Sequence, residues 1–388
     1  MHQFKFDPVS LPPACETLRQ EVREFLARVQ AAGAFTPAPD AWSSWSAEFS
    51  RKCGDAGFIG LTLPREYGGH GRSALEKFVV TEEMLAAGAP VFAHWIADRQ
   101  SSVQILLHGS ERARREILPR IARGECYFGI GMSEPDSGSD LAAVRTRATR
   151  AEGGWSLTGT KIWTSNAHRA HYLLALVRTE AKSEERHKGL TQFIVDLSSP
   201  GVNVRPINNL YGGHDFNEVS FEGCFVPDDM VIGQAGDGWK MVTGELANER
   251  AGPDRYLSAY QLLLAAIRES GAQPDSRAAN DIGRLVAHLT GLRRMSSSIA
   301  GMLDRGEQPM VEAALIKDMG TTFEREIPEV VRLLHPLQPM LVGEAGLTGA
   351  HGLDAMLGET VLRAPGFTLR GGTREILRGM IAKGLGLR

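Results

Sequence analysis

The spacing of apolar residues changes twice along this chain of 388 residues. Leu18, Val22, Phe25 and Val29 recur at intervals of three or four residues, which places them on one face of a helix. Between about residues 129 and 232 the apolar residues instead form short β-type runs separated by turn residues. Helical spacing returns after that segment. The pattern therefore predicts an α+β chain that is mostly α.

The two changes of spacing predict three domains. Residues 1–128 are predicted to form an N-terminal helical domain, residues 129–232 a small β-domain of barrel or sandwich type, and residues 233–388 a helical bundle. A β insert between two helical parts does not match the βαβ alternation of a nucleotide-binding sheet. A Rossmann fold is therefore disfavoured, and any dinucleotide must be held in another way.

The charge and the cysteines of the chain indicate which kinds of partner and which cellular compartment to expect. The 43 basic and 46 acidic residues give a net charge of -3, so a nucleic acid or a membrane surface is not expected as partner. The four cysteines form no paired motif or cluster with histidine, so neither disulfides nor a metal site are expected. No stretch resembles a signal peptide or is long enough to span a bilayer. We expect a cytoplasmic protein.

A loop rich in serine and glycine joins the first helical part to the β-domain. Residues 131–140 read Gly-Met-Ser-Glu-Pro-Asp-Ser-Gly-Ser-Asp, and we call them the signature loop. Such residues expose backbone N–H groups and hydroxyls, which suit a polar or anionic ligand. By itself the loop fits a plain connector containing Asx and serine turns better than a ligand site.

A second motif changes the interpretation of the first. Residues 160–166 read Thr-Lys-Ile-Trp-Thr-Ser-Asn, and the two runs resemble, in the same order, two motifs of acyl-CoA dehydrogenases. The resemblance extends over nearly the whole chain. It implies an N-terminal helical domain, a β-domain and a C-terminal four-helix domain. It also implies FAD between domains and subunits, an acyl-CoA substrate, an electron-transfer flavoprotein as acceptor, and a dimer or tetramer.

The resemblance also assigns residues to ligands by matching position. Met132, Ser133 and Gly138 would contact the flavin from the signature loop, and Ser139 would lie beside CoA. Trp163 would pack on the flavin and Ser165 would reach its N5 edge, where a donor stabilises arriving negative charge. Without the flanking motif Trp163 would be read as core. At the C-terminus Gly372, Thr373 and Glu375 match cofactor-binding positions.

The family's reaction needs a base that removes the proton α to the thioester while hydride leaves the β carbon. In many relatives this base is a glutamate directly before a Gly-Thr pair, but here that position is Gly371. Glycine cannot accept a proton, although its N–H could bind the thioester oxygen as a substrate contact. Either this chain abstracts no α-proton, or the carboxylate comes from another position.

Glu249 is the predicted base. Another branch of the family, which includes isovaleryl-CoA dehydrogenase, carries its base in a Leu-x-x-Glu-Arg run, and residues 246–250 read Leu-Ala-Asn-Glu-Arg. The following Gly-Pro pair is expected to end or kink the helix, which would let the carboxylate face a cleft. The alternative is a solvated carboxylate paired with arginine. Arg250 would position Glu249 or the substrate, or would be a surface charge; Glu375 is the rival carboxylate.

Two cofactor motifs of homodimeric relatives are altered. The Arg-x-x-Phe-Gly run is replaced by residues 271–277, and the Gln-x-x-Gly-Gly run by residues 340–344. The C-terminal pattern resembles bacterial dehydrogenases of bulky CoA thioesters, including steroid side chains, and some of these are heterotetramers. Two alternatives therefore stay open: a non-catalytic or FAD-sharing subunit of a hetero-oligomer, and an oxygen-using flavin oxidase or monooxygenase on the same fold.

Overall fold

The structure, a computed structural model, describes residues 4–181, 184–335 and 352–387, and it describes residues 245–249 by their backbone alone. Its elements run in the order helices, strands, helices. The helices before the sheet are α1 Pro13–Ala31, α2 Ala47–Asp55, α3 Ala74–Ala86, α4 Phe92–Ile96, α5 Ser102–His108 and α6 Glu111–Ala122. The strands are β1 Phe128–Gly131, β2 Arg147–Ala151, β3 Gly154–Ser165, β4 Tyr172–Arg178, β5 Leu190–Asp196, β6 Val202–Ile207, β7 Phe216–Pro227 and β8 Val231–Ile232. The later helices are α7 Gly238–Arg250, α8 Tyr260–Ser270, α9 Ser276–Asp304, α10 Met310–Leu334, α11 Leu353–Phe367 and α12 Arg374–Gly384.

This order confirms the predicted α+β class with a mostly helical chain. The predicted stripe of α1 is correct, because Leu18, Val22, Phe25 and Val29 are all buried. The chain divides into two compact units that cut across the sequence. One unit contains residues 1–44, 73–91 and 247–388, and the other contains residues 45–72 and 92–246. The three-domain division stays a prediction.

The second unit contains the β-sheet. Its strands follow the order β6-β7-β3-β2-β4-β5-β8, and β1 pairs in parallel with β4. The long strands β3 and β7 pair antiparallel through most of their length. β4 and β5 carry continuous buried runs rather than alternating ones, which indicates that both faces of these strands are covered. The signature loop begins where β1 ends.

In the first unit α10 is the central helix, since it packs against α8, α9, α11 and α12. Gly320 permits a close approach on this helix. A Cβ added there would lie 2.3 Å from the carbonyl oxygen of Arg255, so any larger residue would push α10 away from the turn after α7. This packing sets the position of the residues that α10 presents to the C-terminal loop.

Two further observations concern the cysteines and the length of apolar helices. All four cysteines are free and buried. Within the described ranges, none of the helices combines the length and the apolar character that crossing a membrane requires.

Candidate active site

A buried ion pair fixes the signature loop to strand β3. Lys161 Nζ lies 2.7 Å from Glu134 Oε1 and also donates to the carbonyl oxygen of Met132 at 3.2 Å. Glu134 accepts two more hydrogen bonds, from the backbone N–H of Arg145 at 2.6 Å and of Thr146 at 2.9 Å. Both charged side chains are buried. The start of the loop is therefore tied to the sheet by side-chain and backbone contacts.

The pair is charged at neutral pH. Burial raises the pKa of Glu134, but the charge of Lys161 and the hydrogen bonds to the carboxylate outweigh it, so the pKa lies below its ordinary value. Burial lowers the pKa of Lys161 to about 8, and Glu134 opposes this shift. Such a pair is costly to break, because removal of one partner leaves the other as an unpaired buried charge.

A bulge in β3 turns Trp163 outward. The register between β3 and β7 shifts between Lys161 and Thr164, and Trp163 has a φ of 59°. A left-handed conformation costs a residue other than glycine about 1–2 kcal/mol, and such strain concentrates at functional sites. The Trp163 ring is 56% exposed and stands edge-on to Phe216, with centroids 6.0 Å apart. A flat aromatic face is thus held open at this bulge.

The polar groups beside this ring are available to a ligand. The carbonyl oxygen of Ser133 accepts from the N–H of Ile162 at 2.9 Å, which joins the loop to the bulge. Within the described ranges, the hydroxyls of Ser133, Ser139 and Ser165 make no hydrogen bond. Backbone contacts thus hold Ser133 and Ser165, whose hydroxyls are left without a partner within the described part of the chain. Gly138 and Ser139 are exposed, and Met132 and Ser133 are half-buried.

The second group of predicted residues lies in the first unit, at a turn formed by residues 370–372, which we call the C-terminal turn. Gly371 and Gly372 both have left-handed φ values, 67° and 97°, a conformation that favours glycine. Lys317 Nζ donates to the carbonyl oxygen of Gly372 at 2.6 Å. The carbonyl group directly after Gly371 is thus held by a buried lysine.

Arg250 lies against the same turn. A Cβ added to Gly372 would be 3.4 Å from Arg250 Nη2, and Arg250 Nη1 lies 3.0 Å from Met380 Sδ on α12. Arg250 is only 3% exposed, so the interpretation as a surface charge is wrong. The end of α7 is therefore packed beside the residues that replace the usual base.

Helix α7 ends at Arg250, and the next helical turn begins at Pro253, as the Gly-Pro pair predicted. The side chain of Glu249 lies outside the described residues, so its role stays a prediction. Glu375 is exposed, and its pKa is lowered by its own backbone N–H and by the Thr373 hydroxyl. A base for this reaction needs a raised pKa, which argues against the rival carboxylate.

Of the two altered cofactor-binding runs, the structure describes only the first. Residues 271–275 form the connection between α8 and α9, and Asp275 caps α9 by accepting from the N–H groups of Arg277 and Ala278. A capping role explains part of this replacement. The second run, residues 340–344, lies outside the described residues.

Comparisons with known proteins agree with this geometry. The sequence matches the N-terminal domain of acyl-CoA dehydrogenases over residues 12–125 and the middle domain over residues 129–224. It is 33% identical over 343 residues to acyl-CoA dehydrogenase IpdE1 of Mycolicibacterium smegmatis, covering 84% of each chain.

The chain belongs to the acyl-CoA dehydrogenase family.

Two further relatives show how far the similarity extends. Acyl-CoA dehydrogenase FadE34 of Mycobacterium tuberculosis is 32% identical over 337 residues, covering 85% of this chain but 45% of the longer relative. The crystal structure of the ChsE4-ChsE5 complex from Mycobacterium tuberculosis has a chain 26% identical to this one. It superposes with a TM-score of 0.81 over 98% of this chain and 100% of that one. The family is one of flavoprotein oxidoreductases.

The residues of this acyl-CoA dehydrogenase family member fit the flavin that the family binds. The exposed Trp163 ring offers a stacking face, and the hydroxyls of Ser133 and Ser165 offer polar contacts beside it. Sequence reasoning missed what supports these groups, namely the Glu134–Lys161 pair and the contacts of Lys317. No sequence signal marked Lys317, because Thr321 and Glu324 are also buried on α10 and its buried side is not uniformly apolar.

Proposed function

We propose that this chain is an FAD-dependent acyl-CoA dehydrogenase in which Glu249 removes the α-proton of an acyl-CoA thioester and trans-2-enoyl-CoA is the product. The observation that carries the proposal is that the residue next to Glu249 packs against the turn that lacks the usual base. Gly371 occupies the usual base position, and Arg250, the residue next to Glu249, packs against the same turn.

Each group has a distinct task in this proposal. Glu249 accepts the proton, with its pKa raised by burial against substrate. The N–H of Gly371 donates to the thioester oxygen, where negative charge develops as the proton leaves. Arg250, buried beside the turn, positions Glu249 or the substrate. FAD, when bound, supplies the acceptor for the β-hydride.

On the other side of the reaction, the β-domain residues hold the flavin. Trp163 packs against the ring system, and Ser165 donates toward the N5 edge. By matching position, Met132, Ser133 and Gly138 contact it from the signature loop. The family resemblance also assigns cofactor-binding roles to Gly372, Thr373 and Glu375 near the start of α12. Ser139 lies toward CoA. An electron-transfer flavoprotein would then reoxidise the flavin.

The test is an anaerobic titration of the purified, FAD-loaded protein with a panel of acyl-CoA thioesters of increasing bulk, up to polycyclic side-chain thioesters. We expect at least one of them to bleach the flavin absorbance and to yield the 2-enoyl-CoA. A protein that holds FAD but is bleached by none of the panel would contradict the proposal. Turnover in air without an added acceptor would instead favour the oxidase alternative.

A second candidate is an FAD-sharing subunit of a hetero-oligomer. It is favoured by the missing Arg-x-x-Phe-Gly run and by the similarity to a chain of the ChsE4-ChsE5 complex. Here a partner subunit would supply the cation for the FAD pyrophosphate. The measurement is the flavin content of the chain purified alone and after co-expression with a related dehydrogenase subunit. Full FAD loading and activity of the chain alone would exclude this candidate.

A further inference from the structure

Two charged residues on α10 are fully buried. Lys317 and Glu324 each have 0% of their surface exposed, and they are seven residues apart, which places them on one face two turns apart. Burying a charged group is expensive unless it is paired and hydrogen-bonded. The contacts that these two side chains make therefore indicate what their burial accomplishes.

Lys317 holds one end of the C-terminal turn. Its Nζ donates to the carbonyl oxygen of Gly372 at 2.6 Å, a short hydrogen bond of the charge-assisted kind. Because Gly372 has a φ of 97° and can adopt many backbone conformations, this single contact removes much of the freedom that a glycine pair would otherwise have.

Glu324 holds the other end through an arginine. Its Oε2 accepts from Arg370 Nη2 at 3.2 Å, and its Oε1 accepts from the backbone N–H of Ser258 at 2.7 Å. The guanidinium of Arg370 also lies over the ring of Trp42, 4.1 Å from its centroid, and 5.1 Å from that of Phe367. The plane of Arg370 is thus fixed by an anion on one side and aromatic rings on the others.

Gly371 lies between these two anchored residues. It is half-buried, and among the described residues its N–H has no hydrogen-bond acceptor. An N–H that is held in place and left without an acceptor is a preorganised donor for a ligand oxygen. This N–H belongs to the peptide group between residues 370 and 371. On one side of it Glu324 holds the side chain of Arg370, and on the other Lys317 holds the carbonyl group of Gly372.

We propose that Lys317 and Glu324 are positioning residues which, by fixing Gly372 and Arg370, aim the Gly371 N–H at the thioester oxygen of the substrate. This inference rests on the proposed dehydrogenase function and assigns to α10 the placement of its oxygen-binding donor. A misplacement of about 1 Å at such a donor is enough to lower a rate by roughly 100-fold.

The central variant is Lys317→Met, which keeps the length of the side chain and removes the donor to Gly372. We expect the rate of flavin bleaching at saturating acyl-CoA to fall about 10- to 100-fold, with FAD content unchanged. Lys317→Arg should recover part of this loss, because it restores a cationic donor. The control is Thr360→Val, which removes the hydrogen bond from a buried threonine hydroxyl to the carbonyl oxygen of Met356 within α11, and should bleach normally.

A ligand-binding comparison separates positioning from general loosening of the fold. The probes are a 2-enoyl-CoA, which has the thioester oxygen, and a CoA thioether of the same chain, which lacks it. In the unmodified protein the enoyl-CoA should bind more tightly. Lys317→Met should reduce that preference by about tenfold, the equivalent of one hydrogen bond, and should leave thioether binding unchanged.

Two results would overturn the inference. The first is a folded, FAD-loaded Lys317→Met protein with the bleaching rate and the ligand preference of the unmodified protein. The second is an equal loss of affinity for both probes. If Lys317→Met does not fold, Glu324→Gln replaces it with the same criteria. Failure of the proposed function is distinct, since then no acyl-CoA bleaches the unmodified protein, whereas the two-probe comparison can still be made.

Discussion

The signature loop and the C-terminal turn are each held by a buried lysine and a buried glutamate, but these charged side chains have different partners in the two segments. In the signature loop Lys161 and Glu134 bind each other at 2.7 Å. At the C-terminal turn Lys317 binds a carbonyl oxygen and Glu324 binds Arg370. In the signature loop the lysine and the glutamate thus contact each other. At the C-terminal turn each of them contacts a different end of the turn.

The ionisation of the two carboxyl groups follows from this difference. Glu134 has a full cation and two backbone N–H donors, and its pKa is lowered despite burial. Burial raises the pKa of Glu324 to about 7, because Arg370 and the N–H of Ser258 compensate it only in part. The carboxylate of Glu134 therefore stays ionised near neutrality, whereas the carboxyl group of Glu324 titrates there.

The largest expected effect is the loss of Glu134. Glu134→Ala leaves Lys161 as an unpaired buried charge and two N–H groups without acceptors, so we expect the free energy of unfolding to fall by about 3–5 kcal/mol. Chemical denaturation measures this. Asp136→Ala is the matched control, since its exposed pair with Arg145 is worth about 1 kcal/mol or less. Equal effects of the two substitutions would contradict the role of the buried pair.

The second prediction is that the two carboxyl groups contribute to stability in opposite pH windows. The pKa of Glu134 is lowered on folding, so its contribution is present above the unfolded value near 4.5 and is lost as pH falls below it. The pKa of Glu324 is raised from 4.5 to about 7, so its contribution is complete below about pH 4.5. That contribution is lost as pH rises through 7, a change of about 3 kcal/mol.

The measurement is the free energy of unfolding of the unmodified protein, Glu134→Gln and Glu324→Gln from pH 3.5 to 8. The difference between the unmodified protein and Glu324→Gln should change between about pH 4.5 and 7. The difference for Glu134→Gln should change in acid, where Glu134 titrates, and again toward pH 8, where Lys161 titrates. If the difference in the free energy of unfolding between the unmodified protein and Glu324→Gln were constant with pH, the pKa of Glu324 would not be raised on folding, and the contrast between the two sites would be wrong.

The smallest expected effect concerns the glycines. Gly371 has a left-handed φ of 67°, so Gly371→Ala should lower the free energy of unfolding by about 1–2 kcal/mol. In the signature loop Gly138 lacks that conformation, and a Cβ added there meets nothing within 4 Å. Gly138→Ala should therefore change stability by less than about 0.5 kcal/mol. A costly Gly138→Ala would mean that both segments depend on glycine geometry.

The same two regions show what the sequence could predict. The helical stripe of α1 was predictable because its apolar residues repeat with the helical period. The strands β3, β4, β5 and β7 were predictable from short β-type runs bounded by turn residues, although β4 and β5 are continuously buried rather than alternating. The end of α7 was predictable because proline cannot continue a helix. The short strands β1, β2, β6 and β8 were not predicted, because too few residues carry a periodic signal and their pairing depends on distant strands.

The supporting contacts of the site were also beyond the sequence. The bulge at Trp163 depends on the register between β3 and β7, and that register is set by long-range pairing rather than by local composition. Glu134 and Lys161 belong to motifs that the sequence singled out, but their distance of 27 positions hides that they pair. Lys317 and Gly372 are 55 positions apart, so only the packing of α10 brings them together.

The central claim is that Glu249 replaces the carboxylate that Gly371 lacks. Its most direct test is the stopped-flow rate of flavin bleaching by a substrate acyl-CoA in Glu249→Gln. The account predicts normal FAD content and a rate lowered by about 10²–10⁴, the usual contribution of a general base. Glu329→Gln, which alters an exposed carboxylate paired with Arg332, should leave the rate unchanged. Bleaching of Glu249→Gln at the normal rate would contradict the account.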